Sequence, residues 1–202
     1  MEHTFAIVLF AISTMATPGP NTLMIMSSGV NFGVKRSLPH FFGICLGFTL
    51  MLFLVGLGFS KLFELYPELH IVLKWLGTMY LLYLAYLISM SSKSSDEEKE
   101  KKPFSFVKAV LIQWLNAKAW AISAGAVAAY MTVGEHVYRQ DLVISLIFLF
   151  VCLPCVGMWL LFGSFLKKFL MDETKRRIFN YCMSAFLVLA VMPVLIKLIE
   201  TL

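Results

Sequence analysis

The chain has 202 residues, of which 59% are hydrophobic and only 14% charged, and its mean hydropathy is +0.81. Soluble chains put about a quarter of their residues into Asp, Glu, Lys and Arg, so this composition excludes soluble enzymes, disordered scaffolds and nucleic-acid binders and makes lipid the solvent. The formal charge of +5 is scattered over short segments rather than gathered on one basic face, so no nucleic-acid partner is expected.

Taken in chain order, uncharged stretches run over residues 3–34, 37–60, 75–92, 142–166 and 178–196. A sixth apolar stretch, 105–131, is broken by Lys108 near its start and Lys118 at its middle. About 20 mostly apolar residues cross a bilayer as a helix, which predicts six spans and no soluble domain. The alternating short strands of a membrane β-barrel are absent. The first stretch has no basic leader and holds Pro18, Gly19 and Pro20 at its middle, so it reads as a mature helix rather than a signal peptide.

Orientation follows from the basic residues. Lys35 and Arg36, five lysines between Lys93 and Lys108, and five basic residues between Lys167 and Arg177 fall on one side of six spans. Lys61, Lys74, Arg139 and Lys197 fall on the other. The richer side is expected in the cytoplasm, with both termini outside. A mixed-charge linker, residues 91–103 (SSKSSDEEKEKKP), divides a single transmembrane domain, 1–202, into halves 1–90 and 104–202. Three spans per half means that the halves enter the membrane from opposite sides, the geometry of inverted-repeat transporters.

Two polar breaks stand at corresponding places. The first span is interrupted by Thr17, Pro18, Gly19, Pro20 and Asn21, the fourth by Asn116, Ala117 and Lys118. Pro18 and Pro20 cannot donate backbone bonds, which frees the carbonyls of Thr14 and Ala16. Bare backbone in lipid is costly, so such a break faces protein or a cavity. Two readings stand for the first break: a proline kink with Asn21 capping the restarted helix, or half of a midplane binding site whose helix N-terminus suits a carboxylate.

Lys118 lies ten residues beyond Lys108, about 15 Å along a helix and half of a hydrocarbon core. A lysine there costs roughly 2.5 to 3.5 kcal/mol on insertion scales. All 12 acidic residues fall in or beside loops and termini, so no embedded carboxylate is expected to neutralise it. Lys118 therefore binds helix-end carbonyls, or sits neutral, or takes its counter-charge from a substrate carboxylate.

The stretches ATPGPNTLMIMSSGVNFGVKRSLPHFFGICLG (16–47), LKWLGTMYLLYLAYLI (73–88) and QWLNAKAW (113–120) resemble three signature regions of the LysE/RhtB family of bacterial amino-acid exporters. QWLNAKAW is most similar to the branch that exports cysteine and related neutral amino acids. The resemblance implies an efflux antiporter driven by the proton motive force. It carries substrate binding onto Pro18, Gly19, Pro20, Asn21, Asn116 and Lys118, with Gln113, a polar residue inside a span, added as a neighbour. Two departures stand out: Ala117 replaces the proline of the family's Asn-Pro-Lys, and apolar or hydroxyl residues around Thr49 and Met51 replace a His or Asp. Proton coupling is then left to Lys118, to His40 or to the substrate's amine.

Thr17, Tyr80 and Trp120 are expected near the cavity, with Tyr80, Tyr83 and Tyr86 sharing one helix face. The Gly43/Gly47 and Gly29/Gly33 pairs are expected to let helices pack closely. A competing reading makes Cys152 and Cys155 a membrane thiol-disulfide relay, with Cys45 and Cys182 isolated. No catalytic triad, metal cluster or phosphate loop occurs, and the histidines at 3, 40, 70 and 136 are far apart, so neither enzyme activity nor a metal or cofactor is expected. The expected partners are the amino-acid substrate, protons and the bilayer, with a homo-oligomer allowed.

Overall fold

The computed structural model describes residues 2–59, 67–90, 103–131, 137–170 and 172–200, and among these every regular element is helical. The elements are α1 (Glu2–Ala16), α2 (Pro20–Leu54) ending in a π-helical turn (Val55–Phe59), α3 (Pro67–Met90), α4 (Phe106–Leu115), α5 (Ala117–Tyr130), α6 (Val137–Phe169) and α7 (Glu173–Ile199). Linker residues 91–102 lie outside the described set, so the expected division of the chain there is not visible.

Although α2 counts as one helix, it is a hairpin. Gly33 has φ 75° and ψ 176°, a conformation essentially reserved for glycine. Ser28 and His40, 12 residues apart, share a 2.8 Å hydrogen bond. A straight helix would hold them about 18 Å apart, so the chain reverses at Gly33. Gly33 was expected to serve close packing; it serves the turn instead.

Glycines elsewhere set the helix contacts. A Cβ on Gly29 would meet the Leu160 carbonyl and Ser164 of α6, and one on Gly163 would collide with the Met26 carbonyl. Likewise Gly43 lies on Phe106 and Ala109, and Gly47 on Val110 of α4. The first arm of α2 thus lies on α6, its second arm on α4, and α3 runs along α7.

Polarity is inverted relative to a soluble protein. Phe5, Phe150, Leu161 and Leu189 are among the large apolar side chains left outside, while Gln113, Asn116, Ser123, Asp141 and Asn180 are buried. α6 and the second arm of α2, within Pro20–Gly58, are each long and apolar enough to cross a bilayer. The chain is an all-α membrane protein. One apolar core joins the first arm of α2 to α3 and α7, and a second joins α1, the far end of α2, α5 and α6. The two helix breaks lie between them.

Adding an isopropyl group at a backbone contact should cost about 1–3 kcal/mol. Gly163→Val and Gly43→Val are therefore expected to lower the thermal unfolding midpoint in detergent. Gly125→Ala, whose nearest neighbour is Phe10 at 3.7 Å, should leave it unchanged.

Candidate functional site

Between α1 and α2 the chain is open from Thr17 to Gly19, and each carbonyl stranded by the prolines has a donor. The Thr17 hydroxyl lies within hydrogen-bond reach of the Ser13 and Thr14 carbonyls, at 2.8 and 2.9 Å. Trp159 Nε1 donates to the Ala16 carbonyl at 3.3 Å. The restart of the helix is capped by Thr22, whose hydroxyl accepts from the Gly19 N–H at 2.8 Å. Asn21 does not cap, contrary to one of the two readings of its position.

Instead Asn21 reaches across to the second break. Its Nδ2 donates to Gln113 Oε1 at 2.7 Å, and Gln113 Nε2 donates back at 3.3 Å while also bonding the Ala109 carbonyl. Gln113 is fully buried in α4. The reciprocal amide pair ties the first half of the chain to the second where α4 is about to end.

α4 stops at Asn116, whose extended backbone (φ −93°, ψ 103°) turns the chain into α5 without a proline. Asn116 Oδ1 accepts from the Lys118 N–H at 3.1 Å, so the side chain caps α5. This accounts for the break surviving with Ala117 in the proline position. Lys118, in the first turn of α5, sends Nζ to the open end of α1. It donates to Thr17 O at 2.9 Å, Thr17 Oγ1 at 3.2 Å and Pro18 O at 3.4 Å. Of the readings open for this lysine, the structure displays the first, an ammonium on helix-end carbonyls at the negative end of a helix dipole. Gly19 permits it, since a Cβ there would stand 3.0 Å from Lys118 Cδ.

Two cavities flank this bridge, and Gly19, Asn116 and Lys118 line both. A narrow pocket of about 30 Å³ also touches Thr14, Thr17, Asn21, Phe48 and Cys152. A larger cavity of about 400 Å³ is closed by Pro18, Pro20, Thr78, Leu81, Ala121 and Val191, a size that suits a small molecule.

The whole arrangement has a counterpart among known sequences. Residues 12–197 match the family model described as LysE type translocator. The chain belongs to that family.

A cysteine/O-acetylserine efflux protein of Klebsiella pneumoniae is 29% identical to this LysE-type chain over 196 residues, covering 95% of this chain and 96% of the relative. A similarly named protein of Escherichia coli O1:K1 is 30% identical over 123 residues, 60% and 62% of the two chains. A leucine efflux protein of Enterobacter sp. is 33% identical over 75 residues, and there the match spans only 37% of this chain and 36% of the relative. No solved structure matches.

The other expected residues of this LysE-type chain are dispersed. Tyr80 packs against the apolar core of α3 and α7, and Trp120 donates to the Trp114 carbonyl and stacks on that ring. Neither lines the two cavities. His40 is buried rather than interfacial, bonded through Nδ1 to Ser28 and stacked on Phe104. Its Nε2 has no partner. The four cysteines form no disulfide; Cys45, expected to be isolated, is packed with Cys152 in one buried apolar cluster, and Cys155 is half-buried, an arrangement of enclosed thiols that gives a thiol relay no support.

Three residues escaped the sequence reading. Thr22 is hidden because hydroxyl caps at helix starts look like any threonine, and Trp159 because its partner is 143 positions away. Asp141 was expected beside a loop, with no buried carboxylate in view, yet one turn into α6 it is wholly buried against Gly56.

The amide pair yields a test. Asn21→Leu or Gln113→Leu alone strands a buried amide and should cost about 1–3 kcal/mol. The double variant is expected to lose less than the sum of the two, measured as a double-mutant cycle of unfolding in detergent.

Proposed function

We propose that this protein is a secondary active exporter of small neutral amino acids or their close derivatives, moving them from the cytoplasm outward by alternating access and driven by the proton motive force. The observation that carries the reading is the Lys118 bridge, which spans two broken helices at the wall of a cavity large enough for an amino acid. The name of the relative matched over nearly its whole length points to the same substrate class.

The chemistry of exchange follows from what Lys118 touches. An amino-acid zwitterion presents a carboxylate that outbids neutral carbonyls for an ammonium. It also presents an ammonium of its own, which suits the Thr17 and Pro18 carbonyls that Lys118 would then release. The substrate thus replaces an internal charge contact with two external ones at no change in net charge. Unbound helix N-terminal N–H groups beside Pro20 favour the same carboxylate. Among the described residues Lys118 is the one charged residue on the cavity wall, and Thr78 supplies a hydroxyl among Leu81, Leu115, Ala121 and Val191. Such a wall fits a neutral side chain and disfavours a charged one.

The proposed architecture is six spans in two inverted halves, 1–90 and 104–202, joined by linker 91–103, with both breaks at the midplane and both termini outside. In support, each broken span leans on the second span of the other half: the first arm of α2 on α6, and α4 on the second arm of α2. The third span of one half, α3, lies along that of the other, α7. Exchange of equivalent contacts is what a two-fold axis in the membrane plane produces.

Purified protein in liposomes provides the test. Efflux of labelled neutral amino acids should respond to a pH gradient, exceed that of lysine or glutamate, and fall at least tenfold in Lys118→Met. Undiminished transport by that variant would overturn the assignment of Lys118.

A further inference from the structure

The end of the bundle remote from the basic loops holds a group that the Lys118 site does not use. Asp141, one turn into α6, is fully buried, and neither carboxylate oxygen has a hydrogen-bond partner. It sits against the π-helical turn that ends α2: a Cβ built on Gly56 would collide with its carboxylate, so the missing side chain is what makes room. That turn also packs on α5, closing the space from the other side.

Among the described residues no charge answers the carboxylate. The turn Val55–Phe59 carries no titratable residue, nor do residues 4–16 of α1. On α5, Lys118 is bonded to Thr17, and the Tyr130 hydroxyl to the Ala6 carbonyl. Toward this end of α2, Phe48, Met51 and Leu52 are apolar, and on α6 itself Tyr138 and Arg139 are exposed. An ionised carboxylate enclosed in this way is prohibitively costly. A metal cation needs several oxygen ligands, and the apolar surroundings do not supply them; a proton needs none.

We propose that Asp141 is a proton-binding site of the transport cycle, protonated when the Val55–Phe59 turn is packed on α6 and ionised when that turn lifts toward water. Opening at this end releases a proton to water or takes one from it; closing requires the proton to be in place. Position supports a link with transport. Asp141, Ser145 and Cys152 recur at helical spacing on the buried face of α6, and Cys152 lines the narrow pocket beside Lys118. The Ser145 hydroxyl, one turn in from Asp141, is likewise buried without a partner. The role in coupling rests on the exporter reading; the protonation state does not.

Two measurements decide it. In liposomes Asp141→Asn, which mimics the protonated form, should exchange labelled amino acid at equal pH but lose most of its acceleration by a pH gradient. Gradient-driven transport undiminished in that variant would refute the proposal. Independently, the wild-type protein in detergent at neutral pH should show the infrared carbonyl stretch of an un-ionised carboxylic acid, absent in Asp141→Asn and shifted in Asp141→Glu. Absence of that band from the wild type also overturns it. If the band is present but the wild type moves no amino acid, the exporter reading fails while Asp141 stands as a buried proton site.

Discussion

An ammonium on the open end of a broken helix holds this molecule together at its most exposed weakness. Prolines at 18 and 20 strand backbone carbonyls in the middle of an apolar stretch, and in the structure each has a donor within the protein. Lys118 brings three donors and a positive charge to the place where the dipole of α1 is negative. The same contact solves the opposite problem, a half-buried lysine in an apolar stretch with no acid beside it among the described residues. Each defect is tolerable only because the other faces it.

The surrounding structure is arranged to bring the defects together. Glycines at 29, 43, 47 and 163 let backbones touch, which draws α4 and α6 onto the two arms of α2. The Asn21–Gln113 amide pair then fixes the register of one break against the other. The cavities beside the breaks are walled partly by the apolar cores themselves, Leu81 and Val191 on one side and Phe48, Ala119 and Ile122 on the other, so a change in cavity shape is transmitted to both cores.

Much of this was legible in the residues because its causes are local. Proline and glycine declare a helix break wherever they stand, and a lysine ten residues into an apolar run declares its depth by the helical rise alone. What could not be read depends on partners far away in the chain. Asn21 carries the residue type of a cap, but Thr22 took that role and released it for Gln113. Gly33 belongs to a small-residue pair, yet its φ of 75° makes it the turn. Asp141 was placed beside a loop because it stands at the edge of the uncharged stretch 142–166. Burial is decided by Gly56 and the π-helical turn, which no count of charges along the chain contains. Tyr80 and Trp120 carried signals of type without direction, and packing sent both elsewhere.

The bonds that satisfy the first break have an order in time. Ala16 waits for Trp159, and Thr17 and Pro18 wait for Lys118, residues 143 and about 100 positions later. During synthesis the open segment after α1 must therefore wait with those carbonyls unanswered, held meanwhile by water or by the insertion machinery. Its settled form belongs to a late stage of assembly, after α6 has been made, so a segment translated before its partners is among the last to find its place.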